Sequence, residues 1–233
     1  MKVDDAIETL TRFFNDLIGS LVPGAALIAG LAFMHLEGSN LSAAVKLLES
    51  TPLALTVVGL MYAIGHLLLA LFDFTVQPVL QFFKLTKKFD ETAAKGRQSY
   101  SFFSDFVSKA RKEQQLDQPP VWGYHDLRSV ALSMAPEGAS LGRRFMFISL
   151  LCNGTGTALL ILSVDFMACL MTNPLLLATA IQTVHWLAQL ALILVAAWSL
   201  FRRAESFYSR AMSTPFSIAV AELILRQNTN VPK

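Results

Sequence analysis

Four polar side chains recur at helical spacing in the apolar stretch 175–201. This polar stripe consists of Thr179, Gln182, His185 and Gln189. Intervals of three, three and four residues place all of them on one face of a single helix. His185 would then lie about 15 Å along the stretch at the α-helical rise per residue, near the middle of a membrane. The stripe predicts either the lining of a pore or cavity, or hydrogen bonds between neighbouring helices.

Two other apolar stretches also contain polar groups. Asn153 and Thr157 lie one helical turn apart in the stretch that precedes the stripe. Counted inward from opposite ends of an antiparallel hairpin, Asn153 and His185 reach a similar depth, so they are predicted to meet. Such groups serve either helix packing or conduction. His66 offers the same choice between a hydrogen bond within the bundle and a gate that titrates near neutral pH.

One acidic residue interrupts the third apolar stretch. Asp165 lies about 30 Å from Phe145 along a helix, so it is expected near the outer interface. There it either reaches water or forms an acidic vestibule that favours cations. No metal site is expected, because neither His66 nor His185 has a Cys, Asp or Glu at ligand spacing. The chain also contains no P-loop, dinucleotide fingerprint, HExxH or serine elbow, so neither an enzyme nor a cofactor is predicted.

The composition indicates that these polar residues lie in membrane-spanning helices. Of 233 residues, 54% are hydrophobic and only 15% are charged, whereas an ordinary soluble domain has about 25% charge. About 20 apolar residues are needed for a helix to cross a bilayer. Four stretches satisfy this, at 17–36, 52–74, 145–171 and 175–201. The fold class is therefore predicted as all-α, a polytopic membrane protein with four transmembrane helices and a helical cytoplasmic segment between spans two and three.

The distribution of basic residues predicts the orientation of the spans. The chain has 19 Lys and Arg residues, and Lys46 alone would lie outside if both termini and the segment between spans two and three are cytoplasmic. Cytoplasmic loops carry an excess of Lys and Arg, and four spans put both termini on one side. We therefore expect a multi-pass protein of a bacterial inner membrane with both termini in the cytoplasm.

The predicted organisation has five parts. They are an N-terminal amphipathic cytoplasmic helix (1–16), a first transmembrane hairpin with a short outer loop (17–77), a cytoplasmic helical module (78–144), a second transmembrane hairpin (145–201) and a cytoplasmic tail (202–233). Pro23 favours a helix start inside the first span. Pro215 predicts that the tail helix ends near Ser213.

Basic residues flank the spans and recur in the module. Those expected to contact lipid or a partner are Lys84, Lys87, Lys88, Arg111, Lys112, Arg143, Arg144, Arg202 and Arg203. Topology and attraction to anionic lipid already explain such residues. Nucleic acid is therefore not an expected partner, whereas membrane lipids and a cytoplasmic protein are.

Four short segments resemble small four-span bacterial membrane proteins associated with antiviral-defence or CRISPR-accessory genes. These segments are Val22-Pro23-Gly24, Tyr62 to His66, Pro136-Glu137 to Phe145, and Arg202-Arg203 to Arg210. The resemblance implies a protein that permeabilises the inner membrane or senses its disturbance.

Two functions are compatible with these features. The first is an oligomeric membrane effector with pore-like or channel-like activity, plausible in antiviral defence. Four spans are too few to enclose a wide pore alone, so this function implies a homo-oligomer with closed symmetry. The alternative is a non-conducting sensor or anchor whose module recruits a soluble cytoplasmic effector. A small-solute transporter is disfavoured, because no inverted repeat is evident.

Overall fold

The structure, a computed structural model, describes residues 3–47, 50–113, 122–173 and 177–229. Every regular element among these residues is helical, and they include no strand. Four helical regions are long and apolar enough to cross a membrane: Leu17–His35, Thr51–Phe82, Pro136–Thr172 and Trp186–Arg226. The predicted all-α polytopic class is thereby confirmed.

The first half of the chain forms the first two spans. Helix α1 runs over Val3–His35 without interruption, so Pro23 lies inside a helix and does not begin one. The short helix α2 covers Gly38–Leu47 and α3 covers Thr51–Leu71. A π-helical turn over Phe72–Val76 then leads into α4, Gln77–Phe82.

The π-helical turn, in which an N–H bonds to the carbonyl five residues earlier, comes just before Pro78. Pro78 has no N–H with which to continue the α-helical ladder. The N–H of Gln77 instead reaches back five residues to the carbonyl of Phe72. Such π-bulges are single-turn departures inside longer helices, and this one lies inside the second candidate span, Thr51–Phe82.

The middle of the chain contains three short helices. They are α5 (Glu91–Lys95), α6 (Gln98–Glu113) and α7 (Tyr124–Met134). The third span belongs to α8, Pro136–Thr172, which begins well before the apolar stretch. The one-turn helix α9 covers Thr179–Gln182.

The last helix differs from the prediction at both ends. Helix α10 covers Trp186–Thr229, so the fourth span begins after His185 and not at Leu175. It also passes through Pro215, where an end was expected. A proline inside a helix leaves the carbonyl four residues earlier without its usual donor. That carbonyl, on Ala211, accepts from Nε and Nη2 of Arg128 at 3.3 and 3.1 Å, so it has a donor even though Pro215 supplies none.

The chain divides into two compact units. The membrane unit comprises residues 1–86 and 147–204, and the aromatic unit comprises 87–146 and 205–233. The tail that follows the fourth span therefore folds together with the segment between spans two and three. Helices α8 and α10 each supply residues to both units.

Candidate functional site

The polar stripe of the fourth span does not lie on one continuous helix. Gln182 belongs to α9, His185 precedes α10 and Gln189 belongs to α10. The side chain of Thr179 lies outside the described residues. Nδ1 of His185 accepts the N–H of Leu187 at 3.3 Å, as a capping side chain does at a helix start. The prediction that His185 lies at mid-span on a shared face is therefore wrong.

The two glutamines of the stripe bind the backbone of the break between α9 and α10. Nε2 of Gln182 donates to the carbonyl of Leu177 at 2.8 Å. Nε2 of Gln189 donates to the carbonyl of Val184 at 2.7 Å and also to that of Ile181. Backbone groups at a helix break lack their intrahelical partners, and side chains can supply them. These two side chains thus stabilise an interruption that no proline or glycine marks in the sequence.

The expected meeting of Asn153 with His185 does not occur. The hydroxyl of Ser149 donates to the carbonyl of Ala204 at 2.9 Å, and a Cβ on Gly156 would lie 2.8 Å from the ring of Phe201. This register pairs Asn153 with residues near 201–204, about 24 Å of helix from His185. Thr157 is fully buried, and its hydroxyl donates to the carbonyl of Asn153.

His66 lies at the contact between the first two spans. Its Nε2 is 3.2 Å from the hydroxyl of buried Ser20 on α1. The ring of Tyr62 meets the imidazole edge-to-face at 4.5 Å between centroids. His66 is otherwise exposed on α3. This geometry matches the expected hydrogen bond within the bundle.

Asp165 joins two residues that the sequence analysis did not connect with it. Its Oδ2 lies 2.7 Å from Nε2 of His35, the last residue of α1. The same imidazole nitrogen lies 3.9 Å from Sγ of Cys169. The three ligand atoms are all within 4.8 Å of one another. Among the described residues, this is the one group of three side chains close enough to share a metal ion. The expectation of no metal site compared only His66 and His185, so it overlooked His35.

The predicted basic contacts are exposed wherever the structure describes their side chains. These are Lys84, Lys87, Lys88, Arg143, Arg144, Arg202 and Arg203. The side chains of Arg111 and Lys112 lie outside the described residues. Arg202 lies over the ring of Trp198, 6.0 Å from its centroid. A cation over an indole next to a span is typical of a membrane interface.

The aromatic unit is built around Tyr124 of α7. Its ring is 1% exposed and lies within 5.4 Å, between centroids, of Tyr100 and Phe216. Its hydroxyl donates to the carbonyl of Met212 at 3.1 Å. Burial raises the pKa of Tyr124 to about 12, against the opposing positive charges of Arg97 and Arg128.

Arg128 lies one turn after Tyr124 on the same face of α7. Both side chains therefore bind carbonyls of α10 next to Pro215. Burial lowers the pKa of Arg128, yet a guanidinium stays charged in proteins. The pair thus fixes α7 to α10 next to Pro215, with one neutral and one charged hydrogen-bond donor.

No protein-family model matches the chain, and no curated protein or solved structure is significantly similar to it. Gly24 and Gly65 lie in Val22-Pro23-Gly24 and in Tyr62 to His66, two of the short segments considered above. A Cβ on either glycine would lie within 2 Å of a carbonyl oxygen of the facing helix. These segments therefore have a clear role in helix packing.

Proposed function

We propose that this protein is a membrane-embedded sensor or anchor whose aromatic unit docks a soluble cytoplasmic partner. The observation that supports this most is that α8 and α10 supply residues to both units. Helix α10 contributes Met212 and Phe216 to the buried core of the aromatic unit, and α8 contributes partly buried Met146. In this proposal the protein is a multi-pass protein of a bacterial inner membrane, with both termini and the aromatic unit in the cytoplasm, consistent with the bias of basic residues.

The polar groups inside the membrane unit favour a non-conducting role. Gln182 and Gln189 bind backbone carbonyls at the helix break, and Ser149 binds the carbonyl of Ala204. A conducting pathway needs polar groups that face water along its length. Side chains that already satisfy the backbone of their own subunit are poorly suited to that task.

The docking surface that we propose includes the exposed pair Lys87 and Lys88, which opens the aromatic unit. Two adjacent ammonium groups attract an acidic surface and orient its approach. The same unit also exposes Phe102, which is 46% accessible, an aromatic residue of the type enriched at interfaces. The expected partner is a soluble protein with an acidic docking patch.

The test compares two charge reversals in intact cells. The double change Lys87→Glu and Lys88→Glu should remove a partner that co-purifies with the tagged wild-type protein. Lys46→Glu, an exposed change on α2, is the matched control and should keep the partner. Unchanged recovery of the partner from the Lys87/Lys88 variant would contradict the proposal.

A second candidate is an oligomeric effector that alters membrane permeability, as the resemblance to antiviral-defence proteins implies. It is favoured by the exposure of the spans, since only 17% of the most apolar window is buried in Thr51–Phe82 and in Trp186–Arg226. Such surfaces face either lipid or further copies of the chain. In this case a closed ring of subunits would form the pathway between them.

Ion flux separates the two candidates. The purified chain is reconstituted alone in liposomes that contain a potassium gradient and a potential-sensitive dye. The anchor proposal predicts the same potential as protein-free liposomes. Rapid loss of the potential that scales with protein density would favour the effector, and it would also require an oligomer in the same vesicles.

A further inference from the structure

The cluster His35, Asp165 and Cys169 combines three kinds of metal ligand at the end of the membrane unit where α1 and α8 terminate. His35 ends α1, while Asp165 and Cys169 lie one turn apart near the end of α8. Residues at this spacing share one face of a helix. We propose that these three side chains bind one Zn²⁺ ion through Nε2, a carboxylate oxygen and Sγ. This proposal goes beyond the docking function and is independent of it.

The chemistry of the donor set favours zinc. Zn²⁺ binds imidazole nitrogen, thiolate sulfur and carboxylate oxygen, whereas Mg²⁺ and Ca²⁺ prefer oxygen alone. Three protein ligands leave one tetrahedral position open for water or another ligand. The side chains of His35 and Asp165 are 35% and 31% exposed, so an entry path exists on their side. Cys169 is 7% exposed and belongs to a buried apolar cluster.

The distances fit the metal-free form of such a site. Two light ligand atoms on a tetrahedral zinc ion are about 3.3 Å apart, given bonds near 2.0 Å. Oδ2 of Asp165 and Nε2 of His35 are 2.7 Å apart, the separation of a charge-assisted hydrogen bond. They must move apart by roughly half an ångström to admit the ion. A thiolate sulfur and an imidazole nitrogen on one tetrahedral ion are about 3.6 Å apart. Sγ of Cys169, 3.9 Å from Nε2 of His35, must therefore approach by roughly 0.3 Å.

The surroundings hold the ligands in place. Cys169 belongs to a buried cluster with Met34, Phe166 and Ile181, so residues next to two of the ligands are fixed by packing. The carbonyl of Met34 accepts the N–H of Ala178 at 2.9 Å. This bond ties the end of α1 to the segment before α9. Ligands on rigid, packed elements are the condition for a preorganised site.

Zinc bound here would join α1 to α8, which are 130 residues apart in the chain at this contact. A ligand that binds only the folded state stabilises it in proportion to its affinity and concentration. The ion would therefore strengthen the end of the bundle at which the first and third spans meet.

The test uses the full-length chain in lipid nanodiscs after removal of metal with a chelator. Zn²⁺ titrated calorimetrically should bind at one ion per chain. Cys169→Ser should weaken this binding at least about 100-fold, since even neighbours of metal ligands change affinity by 10–100-fold. The matched control is Cys152→Ser, which removes the other buried thiol of α8 and should leave the affinity unchanged.

Cobalt provides a second readout that depends on the thiolate. Co²⁺ bound to a thiolate gives an intense charge-transfer absorption, which should occur in the wild type and in Cys152→Ser but not in Cys169→Ser. If Cys169→Ser does not fold, His35→Ala at the exposed end of α1 is titrated with zinc in its place. This variant should also bind zinc more weakly than the wild type. Absence of saturable zinc binding, or equal affinities in the wild type and His35→Ala, would overturn the proposal.

Discussion

Gly65 lies directly against the backbone of Ser20: a Cβ atom on Gly65 would be 1.6 Å from the Ser20 carbonyl oxygen. The reciprocal contact is equally close, since a Cβ on Gly24 would be 1.8 Å from the carbonyl oxygen of Met61. Helices α1 and α3 therefore touch through their backbones. Small residues permit this approach and gain packing energy where the hydrophobic effect is absent.

We predict that Gly65→Ala separates α1 from α3 and destabilises the membrane unit. Overpacking costs about 1–3 kcal/mol, and the upper part of that range is expected because the obstructing atom belongs to the backbone. Thermal unfolding in detergent would measure the loss. Gly59→Ala is the matched control on α3, because a Cβ there meets nothing within 4 Å. Equal melting temperatures for the two variants would show that the close contact is unimportant.

The second prediction concerns the carbonyl that Pro215 leaves without a backbone donor. Arg128→Met should destabilise the aromatic unit by about 1.5–3 kcal/mol, because a buried carbonyl on Ala211 loses its charged donor. Pro215→Ala restores an N–H that can reach the same carbonyl. In that background Arg128→Met should cost clearly less, giving a coupling free energy of about 0.5–3 kcal/mol in a double-mutant cycle.

Denaturant unfolding followed by the fluorescence of Trp122, which packs against the core of this unit, would provide the four free energies of the cycle. Trp186→Phe and Trp198→Phe are included in every variant so that Trp122 alone reports. Lys109→Met is a suitable control, since Lys109 is an exposed cation of the same unit. Strictly additive effects of Arg128→Met and Pro215→Ala would mean that the guanidinium does not compensate for the proline.

Several features were predictable from sequence because they depend on composition or on short-range periodicity. The four spans are of this kind. The break before Trp186 was not, because its stabilising bonds come from Gln182 and Gln189, whose spacing also fits an unbroken helix. The donor to the Ala211 carbonyl, which Pro215 leaves without a backbone partner, is Arg128, 83 residues earlier in the chain. His35 likewise meets Asp165 only through the fold.

The third prediction follows from the raised pKa of Tyr124. Burial brings this pKa to about 12, above its ordinary value of 10.0. Between these pH values the unfolded chain releases a proton that the folded chain keeps, so stability is complete below pH 10 and falls as the pH rises toward 12. The slope should be at most about 1.4 kcal/mol per pH unit.

Denaturation midpoints of the wild type and of Tyr124→Phe, measured between pH 9 and pH 12, would test this. The difference between the two pH profiles reports the titration of Tyr124. The variant loses the hydrogen bond to Met212 but should show a shallower decline with pH. Parallel pH profiles would assign the alkaline sensitivity to other groups.

The orientation of the aromatic unit tests the proposed function most directly, because a unit that docks a cytoplasmic partner must face the cytoplasm. Single cysteines are introduced as Asn40→Cys on α2 and Ser101→Cys on α6, two exposed positions, in a background that lacks Cys152 and Cys169. Intact cells are treated with a membrane-impermeant thiol reagent, before and after permeabilisation. We predict labelling at position 40 in intact cells and at position 101 only after permeabilisation. Labelling at position 101 but not at position 40 in intact cells would contradict both the topology and the docking function.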